Sequence, residues 1–372
     1  MQIQCTKKLL EQLKTVNIIP DSNVAVDEKS IFSWHANFVT INRHKSIILV
    51  NNHNRYVILL YKISKKDMKN ISELISNAIK KAFSTEGIRN DIIDRYLSEA
   101  KAVVYTKYSS RSILSTMNSV EDEAWYYEEE FLVGQVSQPY FSQVMGDALR
   151  KIDGEYYKPI ELLLEYLKGY IVDKESVLSV KSYQLMIRMD LEDYNVWRRI
   201  IVPEDITFRA LHHAIQIVFD WRDCHIHNFE VFQGTAQVAY IGSDEDCYEY
   251  SNFMEFSIVL DNKVFLGEYS PEKYNIVYHY DSGDNWTHDI VFEKVIEDYS
   301  KKETICLGGE GERPPEDVGG EGGYDEYLKV ISDPKHPDYN FMIDRAIDQK
   351  AKEFDLENIN VRLKHNIYKL FV

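Results

Sequence analysis

From residue 181 onward the chain alternates apolar and polar positions, strand after strand. In YQLMIRMDL, Tyr183, Leu185, Ile187, Met189 and Leu191 alternate with mostly polar residues, which predicts a half-buried strand. VWRRIIVP, ending at Pro203, predicts its hairpin partner. Thr207 is placed to cap the following helix, on which Phe208, Leu211, His212, Ile215 and Phe219 share one face. FEVF, VAYI, FSIVL and the segment around Tyr278 supply further strands. Tyr324, Tyr327, Leu328 and Ile331 return to helical spacing, and Phe341–Lys352 suggests a C-terminal helix.

The first 120 residues show a second, smaller pattern. FSWHANFVTI, SIILV and YVILLYKI are strand candidates rich in β-branched and aromatic residues. Ile71, Leu74, Ile75, Ala78, Ile79 and Ala82 follow helical spacing, a second helix is expected over Asp91–Ala100, and VVYTKY from Val103 reads as one more strand. Residues 121–180 read as a connector, with the acidic and aromatic EDEAWYYEEE followed by a helix opening at Pro159. The expected class is α+β, in two domains (1–120 and 181–372), each a mostly antiparallel or mixed sheet with packed helices.

The stretch YHYDSGDNWTHDI fixes a hairpin register. Pairing Tyr280 with Trp286 also pairs Tyr278 with His288 and Ile276 with Ile290, which puts every large group on the core side. Asp281-Ser282-Gly283-Asp284-Asn285 is then the turn, made of residues that cap backbone N–H groups or accept positive φ.

Composition narrows the partners. Hydrophobic content of 44% is enough for real cores. No apolar run approaches the ~18 residues of a membrane helix, and the N-terminus lacks a signal-peptide core. Four scattered cysteines without a CxxC pair fit a reduced, cytoplasmic chain. The net charge of −17 is unevenly spread: residues 1–120 hold 18 Lys+Arg against 10 Asp+Glu, and the remainder holds 25 against 50. A basic head on an acidic body suits nucleic acid or an acidic protein at the head and a protein partner at the body. The head candidates are Arg43, Lys45, Arg55, Lys62, Lys65, Lys66, Lys69 and Arg111, interleaved with aromatics.

Candidate chemistry is sparser. Asp281 and Asp284 at the turn could serve a metal or acid–base role only with further fixed ligands. Cys224-His225-Ile226-His227 places two histidines at a spacing seen in some metal sites, with Cys306, Asp284 or Glu316 as added donors. His212 and His213 lie about 100° apart on their helix and do not readily face one metal. The Gly-rich loop 306–323 lacks a P-loop ending and carries Glu310, Glu312, Glu316, Asp317 and Glu321 against the single Arg313, so it would repel phosphate. No pattern demands a cofactor. The metal alternative from sequence is His225, His227 and Asp284.

Three motifs then occur in order: VWRRIIVPEDITFRALHHAIQIVFDWRDCHIHNFEV, YHYDSGDNWTHDIVFE and CLGGEGERPPEDVGGEGGYDEYL. With FDLENIN they resemble the Ri-plasmid open-reading-frame-three-like family, which includes insertion-sequence passenger proteins, over about residues 181–372. The resemblance implies an α+β fold and association with mobile elements, and singles out Asp281, Asp284, Trp286, Cys306, Pro314, Pro315, Glu316 and Asp317. Ser282 stands where that family usually has an aromatic. The segments TKKLL, WHAN, VNNHNRYVILL and RSILSTMN resemble an uncharacterised bacterial and phage domain. The expected function is a mobile-element-associated binding or adaptor module. The alternative is a metal-dependent hydrolase built on the His225/His227 and Asp281/Asp284 region.

Overall fold

The structure is a computed structural model and describes residues 1–13, 30–107, 110–171, 176–248, 255–346 and 354–365. It divides into two compact units, Met1–Ser179 and Val180–Val372.

The first unit contains β1 (Gln2–Cys5), α1 (Lys7–Gln12), β2 (Ser33–Ile41), β3 (His44–Asn51), β4 (Val57–Leu60), α2 (Lys65–Lys69), α3 (Ile71–Thr85), α4 (Asn90–Ala100), β5 (Val104–Lys107), α5 (Arg111–Tyr126), α6 (Pro139–Asp147), β6 (Arg150–Ile152), β7 (Glu155–Tyr157) and α7 (Pro159–Leu167). Its five-stranded sheet has the order β4-β3-β2-β1-β5. It is mixed, because β1 runs parallel to both β2 and β5. One face packs Trp34, Ile47, Leu49 and Ile58 with Ile75, Ile79, Phe83 and Tyr96 of α3 and α4. On β3, Ile48 and Val50 are also fully buried and point the other way. There α5 covers β2 and β3, burying Ile113, Met117, Val120 and Ala124. A strand buried on both faces explains the unbroken apolar run SIILV.

The segment from 121 to 171, expected as a connector, lies within this unit. Helix α5 runs straight through position 120. Its acidic end changes the electrostatics: Met1–Ser179 holds as many basic as acidic side chains, twenty-three of each. The excess of −17 therefore resides in the second unit.

The second unit contains β8 (Val180–Met189), β9 (Trp197–Pro203), α8 (Phe208–Phe219), β10 (His227–Gln233), β11 (Ala236–Gly242), β12 (Ser257–Leu260), β13 (Asn275–Tyr280), β14 (Trp286–Tyr299), β15 (Ile305–Glu310), α9 (Gly320–Ser332), α10 (Tyr339–Ala346) and α11 (Leu356–His365). An eight-stranded sheet has the order β12-β11-β10-β13-β14-β8-β9-β15. Only the β11–β12 pair is parallel. Helix α8 lies on this sheet, and Phe208, Leu211, Ile215 and Phe219 join Leu185, Ile187, Ile200, Phe229 and Tyr278 in one core. The Thr207 hydroxyl accepts from the Ala210 N–H at 3.1 Å, as its position before the helix requires. At the other end Asp220 takes a left-handed conformation, φ 59, and turns the chain back toward the sheet.

The predicted hairpin register is the observed one: Tyr280 pairs with Trp286, Tyr278 with His288 and Ile276 with Ile290. The Gly-rich stretch differs from expectation. The start of the Gly-rich stretch is β15, an edge strand on β9, not loop. A Cβ on Gly309 would meet the Arg198 side chain at 2.6 Å, so glycine here lets the edge strand close on its neighbour. FDLENIN opens α11, which packs on β15 and α8. Of the expected helix Phe341–Lys352, α10 covers the start, and residues 347–353 lie outside the described residues.

Candidate metal centre

Three segments of the second unit meet near the C-terminal end of α8: residues 220–226, the tip of the β13–β14 hairpin, and residues 311–319. Each is tied in place by a different device.

Arg313, the one cation of its acidic loop, is buried. Its guanidinium donates to the carbonyls of Phe219 (3.1 Å), Asp220 (2.7 Å) and Pro314 (2.8 Å) and lies over the Trp221 ring. A helix C-terminus presents unsatisfied carbonyls and partial negative charge, which a guanidinium fork matches. Pro314, Pro315 and Glu316 are drawn inside with it. Glu316 then accepts from the Arg222 N–H at 2.7 Å and the Tyr280 hydroxyl at 3.3 Å. Burial pushes the Glu316 carboxyl above its ordinary range.

The hairpin tip is closed by Asp281, whose Oδ1 accepts from the N–H groups of Gly283 (2.9 Å) and Asp284 (3.3 Å). This leaves Oδ2 facing outward from the turn. Asp284 does not join it. Its carboxylate accepts from the Gly319 N–H at 3.1 Å and so ties the tip to the neighbouring loop. Trp286 is buried against Trp221.

The 220–226 segment is held by a hydrogen-bonded array. His212 Nε2 lies 2.7 Å from Asp223 Oδ1, and His213 Nδ1 lies 3.2 Å from Asp223 Oδ2. The two adjacent histidines, not expected to face one metal, are joined instead by one carboxylate that spans them with its two oxygens. On its other side His212 Nδ1 is 2.8 Å from the Tyr278 hydroxyl, which also accepts from Gln216 at 3.0 Å. Burial lowers the His212 pKa to about 4, so the ring is neutral and donates its Nε2 proton to an ionised Asp223. The two histidines hold the Asp223 carboxyl far below the usual range.

His225 and His227 separate. His227 lies on β10, stacks on His212 with ring centroids 3.4 Å apart, and meets fully buried Asp261 at 2.9 Å. Asp261 is also held by Arg209 at 2.8 Å. His225 precedes β10, and its Nε2 faces three carboxylates: Asp317 Oδ1 at 3.4 Å, Asp281 Oδ2 at 3.5 Å and Glu316 Oε2 at 3.8 Å. Cys224, which is exposed, donates its N–H to the Tyr280 hydroxyl at 3.1 Å. Two triads of donor atoms converge within 4.8 Å, Cys224–His225–Glu316 and His225–Asp281–Asp317, and they share the imidazole. Asp281 and Asp317 both have positive φ (59 and 55), conformations that non-glycine residues seldom adopt and that cluster at functional sites.

These distances separate hydrogen bonding from metal spacing. Contacts of 3.4 to 3.8 Å are too long for good N–H···O bonds. Bonds of about 2.0–2.2 Å to one ion place neighbouring N and O ligands about 3.0–3.5 Å apart. The Nε2 atom of His225 is buried and makes no hydrogen bond among the described residues.

The other expected site residues lie elsewhere. Cys306 is buried on β15, where Sγ is 3.7 Å from the Gly308 carbonyl and the backbone pairs with Asn360. In the first unit, Arg43, Lys45 and Lys62 gather at the β2–β3 turn, since the Ile63 N–H donates to the Lys45 carbonyl at 2.8 Å, and Lys65, Lys66 and Lys69 follow on α2. Glu128 sits at this end too, bonded to Asn42 and Tyr61. Arg55 lies in the turn between β3 and β4, bonded to the Asn52 carbonyl, and Arg111 opens α5. Sequence reasoning missed Asp223, Asp261 and Tyr280. Arg313 had a visible signal, as the lone cation among five acids.

The molecule is thus an α+β chain of two units, the second with a His–carboxylate cluster at its loop end. Residues 181–363 match the plasmid pRiA4b ORF-3-like protein family, and residues 2–162 match a domain of unknown function, DUF6933. It is 29% identical over 153 residues to the uncharacterized protein y4hQ of Sinorhizobium fredii, covering 41% of this chain and 74% of that protein. A crystal structure of a protein of unknown function from Methanosarcina mazei Go1 is 33% identical, covering 48% of this chain and 98% of that one, with a TM-score of 0.42. No helix among the described residues is long and apolar enough to cross a membrane.

Proposed function

We propose that the second unit is a divalent-metal-binding domain. The observation that carries this reading is the placement of three carboxylate oxygens 3.4 to 3.8 Å from the His225 Nε2. Two buried carboxylates and an exposed one gather negative charge around this imidazole, and a bound cation is attracted by that charge. His225 is the shared donor, and Asp281 and Asp317 complete the oxygen-rich triad with it. Asp317 is on the exposed rim, 62% accessible, so water can complete the coordination sphere. Three protein donors plus water is the arrangement of a metal that activates water for hydrolysis, not of a closed structural site. The test is metal content after gentle purification, with His225→Ala as the comparison. About one ion per chain, lost in the variant, supports the reading. Less than ~0.1 ion per chain in both contradicts a tightly held ion.

A second reading belongs to the first unit. The clustering of Arg43, Lys45 and Lys62 beside Lys65, Lys66 and Lys69 favours a polyanion-binding face. Against it stand Glu128 at the same end and the balanced charge of the unit. Oligonucleotide anisotropy over a salt series decides: log affinity falling linearly with log salt supports this face, and no binding at low salt removes it.

A further inference from the structure

The cluster contains one imidazole and two chemically different sets of partners. His225 forms one triad with the hard oxygens of Asp281 and Asp317. It forms another with the Cys224 thiol and Glu316, a softer set. Thiolate and imidazole favour zinc and its thiophilic neighbours, whereas carboxylates alone favour magnesium, calcium or manganese. Cys224 is the exposed free cysteine among the described residues; Cys5 and Cys306 are buried and Cys247 is half-buried. Its backbone is fixed by the Tyr280 hydroxyl and Glu316 by the Arg222 N–H, so the thiol and the carboxylate reach His225 from two anchored segments.

We propose that Cys224 is a metal ligand, and that it makes the centre selective for thiophilic divalent ions and sensitive to the state of its thiol. This rests on the metal-binding reading of the same cluster. With the thiol free, the ion sits at Cys224–His225–Glu316. With the thiol blocked, only the oxygen-rich triad is left, and zinc-like ions are held more weakly. The remaining donors keep their places, because Arg313 and the Asp281 turn fix them independently of Cys224.

The experiment uses the full-length reduced chain titrated with Co2+, beside Cys224→Ser and His225→Ala. The expected result is a sulfur-to-cobalt charge-transfer band in the near ultraviolet for the wild type. Cys224→Ser should bind Co2+ without that band and at least about tenfold more weakly. Zn2+ should slow alkylation of Cys224 by iodoacetamide in the wild type, and the His225→Ala protein should lose this protection. Far-ultraviolet circular dichroism checks that each variant is folded. Co2+ binding with no such band, and with equal affinity in Cys224→Ser, overturns the thiolate ligand while leaving the metal-binding reading intact. Failure of the wild type to bind Co2+ at all overturns both.

Discussion

Two groups of histidines and acids lie within one loop region of the second unit, and they are built differently. In the His212–His213–Asp223 array the donors sit 2.7 and 3.2 Å from their acceptors, and His227 meets Asp261 at 2.9 Å. Every proton in that array has a place to go. Around His225 the spacing opens to 3.4 Å and beyond, with three carboxylates turned toward one buried nitrogen. The first group is a scaffold closed by hydrogen bonds. The second has, at Asp281 and Asp317, the ligand spacing of an ion's coordination shell. Residue type alone would not distinguish them; spacing does.

The comparison can be broken most directly by removing the shared imidazole. His225→Ala should weaken divalent-metal affinity more than about 100-fold, since even indirect partners of metal ligands carry about 10–100-fold, with unfolding in the absence of metal little changed. The converse holds for the scaffold. Arg209→Ala strips Asp261 of its guanidinium partner inside the core and should cost about 3 kcal/mol of stability, measured by urea unfolding, because a buried charge is left poorly paired.

Protonation separates the two groups further. His212 has a folded pKa of about 4, below its unfolded value of about 6.5, so its contribution is fully present above pH ~6.5. That contribution falls as pH drops toward 4, because the unfolded chain takes up the proton first. The expected loss over this window is about 3 kcal/mol in urea midpoints converted to free energy. His212→Gln should flatten the curve.

Smaller effects sharpen the picture. Tyr278→Phe removes the hydroxyl shared by His212 and Gln216 and should cost about 2 kcal/mol, a fall of about 4–8 °C in Tm by calorimetry. Asp284→Ala, which only ties the hairpin tip to Gly319, should cost about 1 kcal/mol and leave metal stoichiometry unchanged. A loss of the ion in Asp284→Ala would make it a ligand, contrary to the geometry.

The fold was largely legible because its signals are local. The Tyr278–His288 pairing follows from a period of two and one turn, and the Thr207 cap from a single hydroxyl. Strand β15 was hidden because its glycines, which permit the close approach to Arg198, also read as loop. Residues 121–171 lie in the first unit, where the apolar stripe of α5 packs on the sheet, a contact that the acidic and aromatic EDEAWYYEEE does not itself announce. The site was half legible. His225, Asp281, Glu316 and Asp317 stand out as residue types, but the partition of His225 from His227 depends on Asp261, distant in sequence and chosen by the fold. The twinning of His212 and His213 on Asp223 depends on a chain reversal after α8 that helical spacing alone does not encode.

The most direct test of the central claim is isothermal titration of the full-length reduced chain with Zn2+ and Mn2+, with His225→Ala run alongside. The account predicts one saturable ion per chain for the wild type and none for the variant. Identical titrations for the two proteins, or no binding to either, would contradict it.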